Sequence, residues 1–397
     1  MTKNISLLGS TGSIGRNVLE VVRQYPGRFK VVGLAAGHNI ELLKNQLEEF
    51  APELVSVGDP ALAGELIQSL PPAWNDRVLS GPEGNERVAT IPSAKMVVSA
   101  IVGAAGLTPT LAAIRADKDI GLANKETLVM AGDLVMEEVR RHKVNLHPID
   151  SEHSAIDQGL DAGRREDVSR LILTASGGPF FSFSQEEIGR VTPEQALNHP
   201  NWDMGAKISI DSATLINKGL EVIEARYLFD IEVDRIEVLI HPQSIVHSMV
   251  EYRDGSFIAH LGIPDMKIPI AYALTFPERL KLELPRLDLA NSPNLEFHSP
   301  DLEKFPALKL AYKVCAAGGT MPAIFNAANE VAVAAFLRGD ISFPGISQIV
   351  TDTVTKLPLN KATNLDAILA ADQEARGQAG LFIDSQNYGS QNKRKKP

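Results

Sequence analysis

The apolar residues in the first third of the chain come in short solid runs rather than in alternation. Ile5-Ser-Leu-Leu8, Phe29–Ala36, Leu54–Val57, Met96–Val102 and Ile120–Ala123 are the clearest of these runs. Such runs predict strands buried on both faces, as in a parallel sheet. Between them the apolar positions recur at helical spacing. Helices are expected over Arg16–Tyr25, with Val18, Leu19, Val21 and Val22 inward, and over Pro109–Ala116 and Thr127–His142. Strand alternating with helix implies an α/β fold.

The pattern changes after residue 149. A helix over Ser154–Gly163, a strand at Leu171–Thr174 and strands at Ile236–Ile240, Ile245–Val250 and Ser256–His260 predict a central α+β domain with a mostly antiparallel sheet. Pro277–Pro306 is rich in proline, leucine and charge, with little period, and is expected to be a linker. Apolar stripes at Ala307–Ala317, Pro322–Leu337 and Ile346–Thr355, with a weaker one at Asn364–Arg376, predict a C-terminal helical domain. The division expected is therefore 1–149, 150–276, linker 277–306, helical 307–384 and an unstructured basic tail 385–397.

Composition narrows the partners. Of the 397 residues, 44% are hydrophobic and 22% charged, enough for two or three cored domains. A net charge of −10 argues against nucleic acid and against an anionic membrane surface, but not against a small phosphorylated substrate. The single cysteine, Cys315, allows no internal disulfide and no cysteine metal cluster, which fits a cytoplasmic protein. No signal or transit segment is expected, and no apolar run is long enough to span a bilayer.

Candidate chemistry begins at Gly9-Ser-Thr-Gly12-Ser-Ile-Gly15, between the first strand and the first helix. Glycine there lets the backbone approach a pyrophosphate, and the helix N-terminus offers it free N–H groups. A strand–helix turn without ligand remains the plain alternative. In this context the motif makes the first domain Rossmann-like. The second strand ends Ala35-Ala36-Gly37-His38-Asn39, without the acid that takes NAD ribose hydroxyls, so NADP is preferred over NAD. Asn124, Lys125 and Glu126 follow another strand at the ligand end of such a sheet.

Asp150 and Glu152, read as an extended segment, would point to one side. They are either solvated acids at a strand end or ligands for a hard divalent cation. Ser176-Gly177-Gly178 suits an anion or a plain tight turn. His199-Pro-Asn-Trp202-Asp-Met204-Gly205 has no period and suggests a loop over a ligand, or one that Trp202 merely anchors. Asn217, Lys218 and Glu221 share one side of a helix. They are a surface ion pair, or else Glu221 is a third metal carboxylate, with Ser212, Asn217 and Lys218 binding substrate hydroxyls or phosphate. His241 and His247 are expected to be structural.

Taken together, Gly9–Gly15, Ala123-Asn-Lys-Glu126, Pro148–Ser154, Thr174-Ala-Ser-Gly-Gly-Pro-Phe180, His199–Gly205 and Asn217-Lys-Gly-Leu-Glu221 resemble, in order and spacing, the 1-deoxy-D-xylulose 5-phosphate reductoisomerase family. The resemblance implies rearrangement and NADPH-dependent reduction of that phosphorylated sugar to 2-C-methyl-D-erythritol 4-phosphate, in the non-mevalonate isoprenoid route. It implies Mg²⁺ or Mn²⁺ on Asp150, Glu152 and Glu221. It implies substrate contacts from Lys125, Ser151, Glu152, Ser176, His199, Ser212, Asn217, Lys218 and Glu221, under a mobile loop carrying Trp202 and Met204. Catalysis falls to Asp150, Glu152, Glu221, Lys125 and His199. NADPH is expected against Gly9, Thr11, Gly12, Ser13, Ile14, Gly37, His38, Asn39, Asn124, Glu126 and Gly205. Some relatives carry lysine where this chain has His38. The resemblance further implies a homodimer.

Two other readings are weaker. A semialdehyde or acyl-phosphate dehydrogenase needs a nucleophilic cysteine, and Cys315 sits on an apparent helix without a partner. An NADP-sensing module would need no carboxylate set.

Overall fold

A computed structural model of the chain describes the backbone of residues 2–202 and 204–394, with side chains through 385. Contacts divide it into two compact units. The first is Met1–Thr127, Val135–Ser154 and Asp265–Pro285; the second is Leu128–Leu134, Ala155–Pro264 and Arg286–Pro397.

In the first unit a sheet is built from β1 (Lys3–Leu8), β2 (Phe29–Ala35), β3 (Leu54–Val57), β4 (Val78–Ser80), β5 (Met96–Ser99), β6 (Asp119–Leu122) and β7 (Leu146–Pro148). Its order is β4-β3-β2-β1-β5-β6-β7, and every pairing is parallel. The connections carry α1 (Ser13–Gln24), α2 (Ile40–Phe50), α3 (Pro60–Gln68), α4 (Gly81–Ala89), α5 (Leu107–Arg115) and α6 (Lys125–His142). β5 is buried at every position and β1 over its last four, which explains their solid apolar runs. Strand order turns back at β1, with β2 on one side and β5 on the other. Beyond the carboxyl ends at such a switch point, α/β sheets hold their ligands.

After β7 the chain enters α7 (Ser151–Leu160), then β8 (Val168–Ala175), α8 (Gln185–Ile188), α9 (Pro193–Leu197), α10 (Ala206–Ala213) and α11 (Ile216–Leu228). β9 (Ile236–Ile240), β10 (Val246–Tyr252) and β11 (Phe257–Leu261) complete a second sheet, in order β11-β10-β8-β9. β10 is antiparallel to both its neighbours, whereas β8 and β9 are parallel. α12 (Lys267–Thr275) returns to the first unit. α13 (Pro306–Ala317), α14 (Met321–Leu337), α15 (Phe343–Lys356) and α16 (Leu365–Arg394) belong to the second.

The expected contiguous division does not hold. Ile270, Ala271, Ala273 and Leu274 of α12 are buried in the core of the first unit. The start of the expected linker is tied there as well. Arg28 pairs with Glu278 at 2.6 Å, and the Tyr25 hydroxyl donates to the Lys281 carbonyl. The C-terminal helices are not a separate body either. Phe325, Phe336 and Phe343 share one core with Phe180, Leu171 and Ile223. Their apolar stripes are buried in one core with residues of α10, α11 and the second sheet. Finally, the segment expected to be an unstructured tail from 385 is helical backbone as far as Arg394. Extending a helix that is already nucleated costs little, even for polar residues. Lys395, Lys396 and Pro397 lie outside the described residues.

Candidate active site

β1 ends at Leu8, and the chain turns at Gly9 with φ of +88°, a conformation that favours glycine. A Cβ there would lie 2.4 Å from the Ala100 carbonyl oxygen. Gly15 is equally confined: its Cβ would lie 2.2 Å from the Gly9 carbonyl oxygen, so α1 sits against the turn only because this residue is glycine. Gly12, at the N-cap of α1, is exposed and has just the Gly9 oxygen near its Cβ position, at 3.4 Å. It has no side chain to cap the helix. The first-turn N–H groups, flanked by half-exposed Thr11, Ser13 and Ile14, are presented to an anion. Gly37, His38 and Asn39 follow β2 at the same end and are exposed. Asn39 Oδ1 accepts the Leu42 N–H at 3.0 Å and caps α2.

β6 and β7 are neighbours, with Leu122 opposite Pro148, so the residues after each strand emerge together. Asn124 caps α6 by accepting the Thr127 N–H at 3.0 Å. Its amide donates to the Gly103 carbonyl and the Glu126 carboxylate, both at 3.0 Å. This side chain is buried and committed to shaping the loop. Lys125 comes next, with Nζ 2.5 Å from Asp150 Oδ2.

Asp150 and Glu152 were expected on one extended segment, but they do not lie on a strand. The ladder of β7 stops at Pro148, and the Asp150 carbonyl accepts the Ser154 N–H at 2.8 Å. Asp150 thus stands before α7, and Glu152 falls in its first turn. Asp-Ser-Glu is a helix start, an N-cap acid followed by an acid at the positive end of the dipole. Ser151 Oγ donates to Glu152 Oε2 at 2.6 Å. His153 is wholly buried, with Nδ1 4.0 Å from Asp150 Oδ2.

In the second unit, β8 leads into Ser176 and two glycines with positive φ, Gly177 at +84° and Gly178 at +68°. Ser176 Oγ lies 2.9 Å from His199 Nε2 and accepts the Gly178 N–H at 3.2 Å. His199 Nδ1 accepts the N–H of Asn201 at 3.2 Å and of Trp202 at 3.0 Å. Two donors on Nδ1 leave the proton on Nε2, so the neutral ring donates to Ser176. Burial pushes the His199 pKa down to about 4. Trp202 and Met204 are half-buried, and Gly205 is exposed at the N-cap of α10; Asp203, between them, lies outside the described residues. Ser212 is half-buried near the end of α10. On α11, Asn217 Nδ2 donates to Glu221 Oε1 at 2.6 Å, and Lys218 pairs with Glu221 Oε2. Glu221 is fully buried and Lys218 nearly so, which is not the burial of a surface ion pair.

Comparison with known proteins decides the family. A model described as 1-deoxy-D-xylulose 5-phosphate reductoisomerase matches residues 5–132, and its C-terminal domain models match 146–229 and 261–378. The enzyme of that name from Chlorobium phaeobacteroides is 56% identical over 95% of this chain and 98% of its own length. The chain belongs to the 1-deoxy-D-xylulose 5-phosphate reductoisomerase family. The reductoisomerase of Chlorobaculum tepidum is 55% identical over 96% of this chain and all of its own. A structure of the Zymomonas mobilis reductoisomerase with NADPH matches at a TM-score of 0.90 and 42% identity, covering 97% of this chain and 100% of that one. A reductoisomerase complex with NADPH, fosmidomycin and magnesium also matches at 0.90 and 42%, covering 96% and 98%.

Against the reductoisomerase motifs, the fold joins Lys125 to Asp150, Ser151 to Glu152, Ser176 to His199, and Asn217 and Lys218 to Glu221. Sequence reasoning passed over His153 and took His247 as structural. The His247 ring centroid lies 6.4 Å from that of Trp202. His241 fills the role expected of it. Its Nε2 accepts the Ile245 and Val246 N–H groups, each at 3.1 Å, and its ring stacks on Phe297. Asp211 and Asn329 are buried and paired but belong to no motif of the sequence. Their signal is polar residues inside apolar helical runs.

Proposed function

We propose how this reductoisomerase divides its work among its own residues. The chain is an NADPH- and divalent-metal-dependent enzyme that converts 1-deoxy-D-xylulose 5-phosphate to 2-C-methyl-D-erythritol 4-phosphate, for isoprenoid precursor synthesis. The glycine turn at Gly9–Gly15 takes the NADPH pyrophosphate. Gly37–Asn39 takes its 2′-phosphate end, with the wall at Asn124 and Glu126 and with Gly205 completing the set. The first unit is thus the cofactor domain and the second supplies most substrate contacts.

Asp150, Glu152 and Glu221 are assigned to Mg²⁺ or Mn²⁺. Their donors are carboxylate oxygens, the type that hard cations select. Asp150 and Glu221 each face an ammonium group, from Lys125 and Lys218, so both carboxylates already sit where a cation is held. When bound, the divalent ion supplies Lewis acidity toward vicinal substrate oxygens and NADPH supplies hydride. Lys125 places a positive charge beside the same oxygens. Ser176, Ser212, Asn217, Lys218 and His199 hold the phosphate remote from the reacting carbons, so its binding energy positions them. Neutral His199 serves there as an Nε2–H donor rather than as a cation. Trp202 and Met204 exclude water from the intermediate.

The observation that carries this reading is the Lys125–Asp150 ion pair at the carboxyl ends of β6 and β7. NADPH oxidation with 1-deoxy-D-xylulose 5-phosphate, in Mg²⁺ and then in excess EDTA, tests it. Oxidation that persists in EDTA would refute the metal assignment.

We further assign the chain to the cytoplasm, supported by its lone cysteine; no described helix is long and apolar enough to cross a membrane. A homodimer is supported by the edge strand β11, where Phe257, Ile258 and Leu261 are exposed without the charges that protect free edges. A monomer in sedimentation at working concentration would contradict it.

A further inference from the structure

Asp211 is almost wholly buried at the end of α10, and its two oxygens have different partners. Oδ2 pairs with Lys207 Nζ at 2.8 Å, one turn back on the same helix. Oδ1 accepts from Asn329 Nδ2 at 2.8 Å, across 118 positions of sequence. Asn329 is fully buried in the middle of α14, among Ala327, Ala328, Ala332 and Val333. An amide in such a place is costly unless it is hydrogen-bonded. The bond to Asp211 satisfies the nitrogen side of the amide, while its Oδ1 finds no hydrogen-bond partner among the described residues, and it ties α10 to α14.

Ser212 is the next residue. Its carbonyl oxygen and the Ala213 Cα press on Gly178, where a Cβ would lie 2.8 and 3.0 Å from them. Gly178 in turn donates to Ser176 Oγ, which meets His199 Nε2. A continuous line of contacts runs from Asn329 through Asp211, Ser212 and Gly178 to Ser176 and His199. We propose that Asn329 is a positioning residue that, through Asp211, sets the oxygen and nitrogen donors of Ser212, Ser176 and His199 toward the substrate phosphate. The inference rests on the reading that these groups take the phosphate. Hydrogen-bond strength falls steeply with distance and angle. A small rotation of α10 is thus felt in sugar-phosphate affinity before it is felt at the reacting carbons or the cofactor.

The test uses full-length enzyme with NADPH and Mg²⁺, and the variants Asn329→Ser, Asn329→Asp and the exchange Asn329→Asp with Asp211→Asn. Asn329→Ser carries the test if Asn329→Asp does not fold. Each single variant is expected to raise KM for 1-deoxy-D-xylulose 5-phosphate about tenfold, the size of one hydrogen bond to a charged group. KM for NADPH changes much less, because Gly205 at the start of α10 is one of many proposed NADPH contacts, and kcat changes less than the sugar-phosphate KM. The exchange restores an amide–carboxylate pair but leaves Lys207 facing an amide, so it recovers part of the sugar-phosphate KM. An unchanged sugar-phosphate KM in Asn329→Ser, an equal loss toward both substrates, or no recovery in the exchange overturns the positioning role. Ser212→Ala separates the two readings. If it leaves the sugar-phosphate KM unaltered, the phosphate assignment itself fails. If it raises that KM and Asn329→Ser does not, only the role of Asn329 fails.

Discussion

Lys125 Nζ lies 2.5 Å from Asp150 Oδ2, which links the residues that follow two adjacent parallel strands. The pair is nine-tenths buried on the lysine side, so the ammonium group is held rather than loosely screened. Lys125→Met keeps the stem and removes the charge. It is expected to lower kcat by about a hundredfold, the usual loss when one preorganised electrostatic group is removed. NADPH binding, followed by cofactor fluorescence, should persist. A variant with near-parental kcat would remove Lys125 from the reacting end of the site.

The glycines of the first turn make a paired prediction. Gly15→Ala must push a methyl group against the Gly9 carbonyl at 2.2 Å, so the variant should be destabilised by several kcal/mol, about 3 or more. Gly12→Ala meets nothing closer than 3.4 Å and should melt near the parent. Its methyl group, however, stands where the pyrophosphate is proposed to approach, so NADPH affinity should fall. Thermal melts and cofactor titration separate the two effects. Equal NADPH affinity in a folded Gly12→Ala protein would move the pyrophosphate elsewhere.

His199 carries a pH signature. Burial depresses its folded pKa from 6.5 to about 4. The neutral form is the one the fold favours, and the unfolded chain binds the proton more readily. The contribution of His199 to stability is therefore present above pH 6.5 and is lost as pH falls through the window down to about 4. Melts of the parent and His199→Asn between pH 8 and pH 4 should show the parent losing its advantage toward acid. A parent advantage that grows toward acid would mean a protonated ring in the fold, and a different hydrogen-bond role.

Much of the first unit was legible because a doubly covered parallel strand leaves an unmistakable mark, as in Ile5–Leu8 and Met96–Ser99. The glycine turn was legible for the same reason: packing at Gly9 and Gly15 admits no side chain. Asp150 and Glu152 were singled out on a strand argument that the structure replaces with a helix start. Two acids one residue apart fit both patterns, and only the end of pairing at Pro148 decides between them. The two units were not legible, because α12 and the C-terminal helices bury their stripes against partners far away in sequence. Asn329 was hidden in the same way: its partner Asp211 belongs to a different helix.

In the proposed site, Asp150, Glu152 and Glu221 hold a divalent cation while NADPH binds independently of them. The most direct measurement is Mn²⁺ binding, by titration calorimetry or spin resonance, to the parent, Asp150→Asn and Glu221→Gln, with NADPH titrated in parallel. Each substitution should weaken Mn²⁺ binding by about a hundredfold, abolish turnover and leave NADPH affinity near that of the parent. Full Mn²⁺ affinity in both folded variants, or loss of NADPH binding along with the metal in Asp150→Asn, would contradict the account.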